Sequence, residues 1–430
     1  TAQDARAGWR YPRDARQEFH MTAAARAAAA EPSWHGYDPT EPDPGLIDDP
    51  FPHLARMRRE HPVNETPAGL WRLFRYADCV RVLKELPCGV RRTDGTATGT
   101  AMGGASEGGG QFMLQQDPPN HTRLRKLVSK AFTPRAVEGW RPRVREIVAE
   151  LLEPALDAGH FDLVAGLAHP LPSQLICEML GVPTADRERF TEWTAVSTHL
   201  LRGVFLEGEE RTRVEAAAGE LASYFEALIA ERRGRLGDDL VSVLIRAEEE
   251  GDRLTPEELL VQSIGLLVAG FETTVGLIAL GARNLIDQPD ELAKLRARPA
   301  LAPSAVEECL RFESPVGMTT RVLHADAEFD GRSIPKNTTV WLSIWSSNRD
   351  PERFADPDRF DVERTTNEHL GFGGGTHLCL GAHLARMEAQ EALGGLAARS
   401  KELAREAGPI AWGPSLFRVP ARLEVEVRAA

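Results

Sequence analysis

The chain is poor in cysteine. Its 430 residues carry five, Cys79, Cys88, Cys177, Cys309 and Cys379, an odd number, widely scattered and with no CxxC pair. That argues against a disulfide framework or a thiolate zinc site and predicts a reducing, cytoplasmic setting. An excess of basic charge is also lacking: 51 Lys and Arg stand against 64 Asp and Glu, a formal charge of −13. Phosphate-backbone binding needs clustered Lys and Arg, so a small molecule, and no nucleic acid, is the expected partner. No charged start, apolar core and small-residue cleavage site marks a secretory signal near the N-terminus. The dipeptides "EF" and "HM" before "TAAARA" read as restriction-site scars, with residues 1–20 vector-derived and Met21 the native start, or else as native sequence. The intact mass of the natively expressed protein separates the two.

Long apolar runs are scarce as well. One stretch, "LLVQSIGLLVAGFETTVGLIALGA" at 259–282, is long enough to span a bilayer. Glu272 at its centre would cost roughly 2.5 to 3.5 kcal/mol in lipid, and Gln262 adds a second polar group. It therefore reads as a buried helix of a large soluble protein, with no membrane partner.

The chain is 42% hydrophobic and 27% charged, a balance that lets it bury a large core. Residues 1–44, rich in Ala, Pro and acidic residues, read as a tail, and 45–430 as one domain. "LWRLFRY" reads as a strand leading into a helix around "ADCVRVLKEL". The Gly-, Ser- and Thr-rich run between Cys88 and Gly110 has no apolar periodicity and reads as a loop, with a lid as its expected role. Helical patterns then dominate to about Arg298. Strands return in "TTRVLHADAEF" and "TTVWLSIWSS", a hairpin or meander about "DGRSIPKN", and in "ARLEVEV". "TPEE" at Thr255 and "SAVE" at Ser304 read as capping boxes, each worth about 1 kcal/mol.

The chemistry concentrates in "GFGGGTHLCLG", 371–381. Its glycines allow positive backbone dihedrals and a close approach of the chain to something flat or bulky. The helix-forming "LGAHLARMEAQEALGGLAAR" follows at once, so Cys379 sits near a helix N-terminus, where amides favour a thiolate. A lone Cys in such a turn is more often inert. The order Phe372, Gly375, His377, Cys379, Gly381, however, resembles the haem-thiolate signature of the cytochrome P450 family, and the resemblance extends from about Asp48 to the end. It implies a mainly α fold with smaller β-sheet regions (α+β) holding haem b (iron protoporphyrin IX) between a long central helix and the Cys loop. It further implies Cys379 as the axial iron ligand, Phe372 packed beside the thiolate and His377 at a haem propionate. Thiolate ligation pushes electron density onto iron.

Other motifs extend the likeness. In "AGFETT", Gly270 could let the long helix open locally, and by resemblance Thr273 hydrogen-bonds dioxygen while Glu272 relays protons, which is general-acid work. Phe271 stands where many bacterial relatives carry His or another residue, a departure that does not remove the acid and alcohol. In isolation, Glu272 and Thr273 read as a solvated acid beside a core hydroxyl. Glu308 and Arg311 in "EECLR" would alone be an ordinary helical ion pair; with Arg359 of "DPDRF" they resemble the family's structural triad. His121 and Arg125 of "HTRLR" and Arg321 of "TTRVL" match its propionate-binding positions, and two buried propionates need such partners.

Arg123, Arg125, Lys126, Lys130 and Arg135 form a basic run with no acid between His121 and Arg135, read as a solvated helix face or, by resemblance, as a docking face for ferredoxin. Apolar candidates for the substrate pocket are Leu266, Val268, Ala269, Val316, Met318, Leu416 and Phe417, a set that would equally suit a core. The resemblance implies a monooxygenase inserting one oxygen atom from O2 into a hydrophobic small molecule of natural-product, terpenoid or steroid-like kind. Electrons would come from NAD(P)H through a separate ferredoxin reductase and ferredoxin, since no flavin or iron–sulfur module is visible. A peroxide-driven or redox-neutral haem-thiolate enzyme and a non-enzymatic haem sensor are the alternatives. The Glu272–Thr273 pair weighs against the first, and the lack of an output domain against the second.

Overall fold

The computed structural model describes residues 48–66, 69–96, 112–197, 199, 208–237, 239–249, 254–413 and 417–430. The tail expected over 1–44, residues 97–110 of the glycine-rich run and Leu416 lie outside them. The structure is mainly helical with small sheets. Its axis is the helix Pro256–Asp287, 32 residues and so about 48 Å long. The expected cap is in place: Thr255 Oγ1 accepts the Glu258 N–H at 3.1 Å and Glu258 Oε2 accepts the Thr255 N–H at 2.9 Å. The helix packs against helices Pro170–Leu180, Arg187–Ser197, Gly208–Gly234, Ala302–Phe312 and Ala382–Arg399. This apolar rod is thus a core helix, buried by protein on several sides. It runs unbroken through Gly270, an exposed position, rather than opening there.

The second expected cap is corrected. Helix Ala302–Phe312 starts upstream of Ser304, after a 3₁₀ turn over Pro299–Leu301, with Pro303 in its first turn. Ser304 therefore lies inside the helix, where its hydroxyl bonds with the carbonyls of Val362 at 2.6 Å and Leu301 at 3.0 Å. A tertiary acceptor has displaced the local cap.

Among the described residues, ten strands form three sheets. The largest has the order β1 (Val63–Glu65), β2 (Trp71–Leu73), β8 (Thr339–Ser343), β5 (Met318–Leu323) and β3 (Cys88–Gly89). All its pairings are antiparallel except β2 with β8. The glycine-rich run thus begins as sheet, and its described continuation over 90–96 is irregular and turn structure. As expected, "LWRLFRY" supplies a strand and the helix Tyr76–Lys84 follows. β5 and β8 pair as predicted, but the segment between them forms its own hairpin, β6 (Ala327–Phe329) with β7 (Arg332–Ile334). Asp330 and Gly331, at φ 49° and 72°, make its turn, the positive-φ pair that matches strand twist. After Ser343 the chain turns helical, over Ile344–Asn348, instead of continuing as strand. The remaining sheet has β10 (Glu424–Ala429) between β4 (His160–Asp162) and β9 (Ser400–Arg405).

The main core lies around the long helix; a second, built on Leu73, Val82, Phe329 and Leu342, lies under the large sheet. All five cysteines are free thiols. Within the main core Glu388, on helix Ala382–Arg399, is 3% exposed, with Oε2 unpartnered among the described residues. Burial pushes its carboxyl up to about 8. An acid whose folded pKa exceeds its unfolded value of 4.5 keeps its proton when folded and loses it on unfolding, so stability should fall as pH rises from about 4.5 to 8. Glu388→Gln should flatten that slope and raise stability at pH 8, read by denaturant titration across this range; an unchanged slope would contradict the assignment.

Candidate functional site

Glycine geometry shapes the loop that presents Cys379. Gly373 and Gly375 adopt φ of 70° and 65°. A Cβ on Gly375 would stand 2.0 Å from the Leu83 carbonyl oxygen, so helix Tyr76–Lys84 closes on backbone that no side-chain-bearing residue could occupy. Within the bend the Gly373 N–H donates to Leu370 O at 2.8 Å, and the Cys379 N–H to Phe372 O at 3.0 Å. Gly381 caps the helix that follows. Cys379 is exposed. The protein packed around its sulfur nonetheless raises the thiol's pKa, and the Gly381 amide, Arg125 and Arg386 oppose that rise.

Next to this loop, helix Asn120–Val128 places His121 so that its ring centroid is 4.3 Å from that of His377. His121 is 2% exposed, and both of its ring nitrogens lack a hydrogen-bond partner among the described residues. Burial first, then the neighbouring His377 and Arg125, pushes it down to about 4. His377 is likewise lowered by burial, with Asp117, whose Oδ1 is 3.8 Å from Nε2, acting against the shift. Arg125 reaches the Thr376 carbonyl at 3.5 Å; Arg321, buried on β5, bonds with Thr320 O at 2.7 Å and Thr319 Oγ1 at 3.2 Å. Neither arginine has a carboxylate ion pair among the described residues. Two imidazoles with unfilled nitrogens and two such guanidiniums, gathered beside one thiol, fit a ligand that carries carboxylates and a thiolate-seeking metal, as haem does.

The long helix supplies the other candidates. Thr273 Oγ1 donates to Ala269 O at 3.1 Å and Thr274 Oγ1 to Gly270 O at 2.8 Å. Glu272 and Thr273 are half-buried, and Phe271 is turned inward, its ring edge-on to His169 with centroids 4.9 Å apart. Of the apolar candidates, Leu266 and Phe417 belong to the main core, Val268 is buried, and Ala269, Val316 and Met318 are half-buried. Phe112 escaped the sequence reading. Its ring lies where a Cβ on Gly265 would come within 2.3 Å, and the adjacent Met113 N–H donates to Gln262 Oε1 at 3.1 Å. The available signal was a glycine inside a strong helical pattern, one turn before Ala269.

Behind the loop, Glu308 and Arg311 form a fully buried fork, with Nε and Nη2 each 2.7 Å from a carboxylate oxygen. The expected third member is corrected. The Arg359 side chain is 59% exposed and faces Asp361 at 3.5 Å; only its carbonyl joins the cluster, accepting from Arg311 at 3.0 Å. Arg364 closes on Glu308 instead, with Nε at 3.1 Å, alongside Asn367 Nδ2 at 3.2 Å and the Asp361 N–H at 2.9 Å. The chain turns here through Asp356, at φ 45°, whose carbonyl accepts the Arg359 N–H at 3.0 Å. In the basic run, Arg123 is committed to Glu258, whereas Lys126, Lys130 and Arg135 are exposed.

Comparison with known proteins gives a consistent picture. The family model described as Cytochrome P450 matches residues 93–396. The cytochrome P450 monooxygenase PikC of Streptomyces venezuelae is 43% identical over 377 residues, 85% of this chain and 88% of that protein. Vitamin D(3) 25-hydroxylase of Pseudonocardia autotrophica is 39% identical over 374 residues, 84% and 88% of the two chains. Among solved structures, the bacillaene polyketide synthase cytochrome P450 PksS of Bacillus subtilis 168 superimposes with a TM-score of 0.81 at 34% identity, covering 90% of this chain and 98% of its own.

The two arginines of the 356–364 turn should respond differently to substitution. Arg364→Ala removes charge-assisted bonds to a buried carboxylate and should cost about 1.5 to 3 kcal/mol. Arg359→Ala keeps the carbonyl that Arg311 uses and should stay within about 0.5 kcal/mol of the parent. Denaturant unfolding of both variants reads the difference; equal losses would contradict it.

Proposed function

Because the chain belongs to the cytochrome P450 family, and so is a monooxygenase that uses haem b, we propose that Cys379 binds the haem iron and that His121, Arg125, Arg321 and His377 hold the propionates. The observation that carries this is the buried His121, both ring nitrogens unfilled, its ring tilted against that of His377 next to the Cys379 loop. Haem, when bound, supplies the redox-active iron needed to activate dioxygen and pass one oxygen atom to an organic substrate.

The residues of the long helix manage protons. Thr273 donates its hydroxyl proton to Ala269 O. Its oxygen can then only accept on the pocket side, which suits holding a water or a protonated oxygen in place. Glu272, next to it and half-buried, delivers protons toward that water. Around them Ala269, Val316, Met318 and Phe112 offer apolar surface that excludes bulk water and orients a hydrophobic substrate. The kinship to a vitamin D(3) 25-hydroxylase and a polyketide synthase P450 supports a natural-product or steroid-like compound as the substrate class.

Electrons reach the site from NAD(P)H through a reductase and a ferredoxin. The support is electrostatic: in a chain of charge −13, exposed Lys126 lies on the helix whose Arg125 touches the Cys loop, exposed Lys130 and Arg135 follow it, and a basic patch steers an acidic carrier. Five free thiols, most of them buried, suit the cytoplasm.

Two substitutions test the reading. Cys379→His should abolish the thiolate-type ferrous carbonyl spectrum of the purified holoenzyme; an unaffected spectrum would remove Cys379 from its role. Thr273→Ala should raise, several-fold, the reductant and oxygen consumed per product formed. Unchanged coupling would contradict the proton-management role.

A further inference from the structure

Behind Phe372 lies a charged cluster that the proposed function does not use. Glu307, on helix Ala302–Phe312, shares its carboxylate between two groups from later in the chain. Arg386, on the helix after the Cys loop, places Nε 2.6 Å from Oε1 and Nη2 2.8 Å from Oε2. His369 places Nε2 3.1 Å from Oε2, while its Nδ1 accepts the Gly371 N–H at 3.0 Å, leaving Nε2 as the donor. Burial alone would raise the Glu307 carboxyl, but His369 and Arg386 outweigh it and hold the group at about 2.

Both partners of Glu307 lie against one ring. The Arg386 guanidinium lies 4.5 Å from the Phe372 centroid, and the His369 ring lies 5.9 Å from it. Phe372 in turn accepts the Cys379 N–H at 3.0 Å. Arg386 thus stands against the residue whose carbonyl holds the Cys379 N–H, close enough for its charge, like that of Arg125, to be felt at the sulfur. Its field at the sulfur depends on how far Glu307 cancels it, and a partly enclosed pair of this kind is screened much less than a surface pair.

We propose that the Glu307–Arg386 pair sets the charge behind the Cys379 sulfur, and through it the reduction potential of the iron that the sulfur binds. This rests on Cys379 being the ligand. Reduction adds a negative charge to the iron–thiolate unit, so a bare cation nearby favours the reduced state and a bare anion disfavours it. Arg386 and Glu307 act through the sulfur as positioning residues. Their contributions carry opposite signs.

Spectroelectrochemical titration of the holoenzyme, at one pH and ionic strength, reads the effect. Glu307→Gln leaves Arg386 uncancelled and should raise the potential. Arg386→Gln should lower it. Each shift is expected to be about tenfold in the ferric–ferrous equilibrium, about 59 mV for one electron. Arg386→Lys keeps the charge and should remain nearer the parent than Arg386→Gln. A merely structural role would move both single variants the same way or leave both unmoved, and either result overturns the proposal. The ferrous carbonyl spectrum of each variant keeps this failure distinct: a thiolate-type spectrum with unshifted potentials sinks the charge-setting role alone, whereas its absence in the parent sinks the ligand assignment. Should Arg386→Gln not retain haem, Glu307→Gln against Arg386→Lys decides, and a Glu307→Gln potential that is unmoved or lowered overturns the proposal.

Discussion

The buried fork between Glu308 and Arg311 is the contact on which the site's geometry depends. With both side chains fully enclosed, neither charge can be left alone without a large desolvation penalty, so every neighbour is held to fixed positions. One line of hydrogen bonds leads from it to the thiol loop. Arg311 donates to the Asn348 carbonyl at 3.0 Å, Asn348 Oδ1 accepts the Leu370 N–H at 2.7 Å, and Leu370 O accepts the Gly373 N–H at 2.8 Å. A second line runs through Arg364, Asn367 and the Asp361 N–H, which tie the preceding meander to the same carboxylate. The fork is far from ornamental packing: it fixes where the loop begins.

On the other side of the loop the electrostatics are inverted. The chain as a whole carries −13, yet beside Cys379 it gathers two imidazoles and two guanidiniums with Asp117 as a flanking acid. Asp117 is already engaged by the Val90 and Arg91 amides at 2.9 and 3.0 Å. A local excess of hydrogen-bond donors in an acidic protein costs stability unless a ligand offsets it, so the cluster suits an anionic, acceptor-rich group such as the propionates proposed for it. The same reasoning explains the depressed His121: without such an occupant, burial favours the neutral ring.

How much of this could be read from residues alone follows from the range of the interactions. Thr255 and Glu258 cap the long helix as their spacing predicts, because a capping box is local. The bend at Gly373–Cys379 and the gathering of His121 with Arg125 were legible for the same reason, their motifs being short and contiguous. What spacing could not deliver was choice between near neighbours. Arg359 and Arg364 lie five residues apart on one irregular stretch, and only the folded path of the chain puts Arg364 rather than Arg359 against Glu308. Ser304 looked like a cap until the Val362 carbonyl, 58 residues away, claimed its hydroxyl. Phe112 on Gly265 is likewise a long-range fit. The β6–β7 hairpin was hidden because β6 was read as the end of one long strand and β7 as part of a connection, although the Asp-Gly turn between them was visible in the sequence.

The tight meeting of Gly375 with the Leu83 carbonyl carries an evolutionary consequence. Any single-base change that alters a glycine codon brings either a residue with a Cβ or a stop. At this spot the first added carbon collides with main chain, which cannot swing aside as the tip of a side chain can. The codon is therefore free to drift only at its silent third base, and descendants of this gene that still fold around the thiol should keep glycine there while the residues around it turn over.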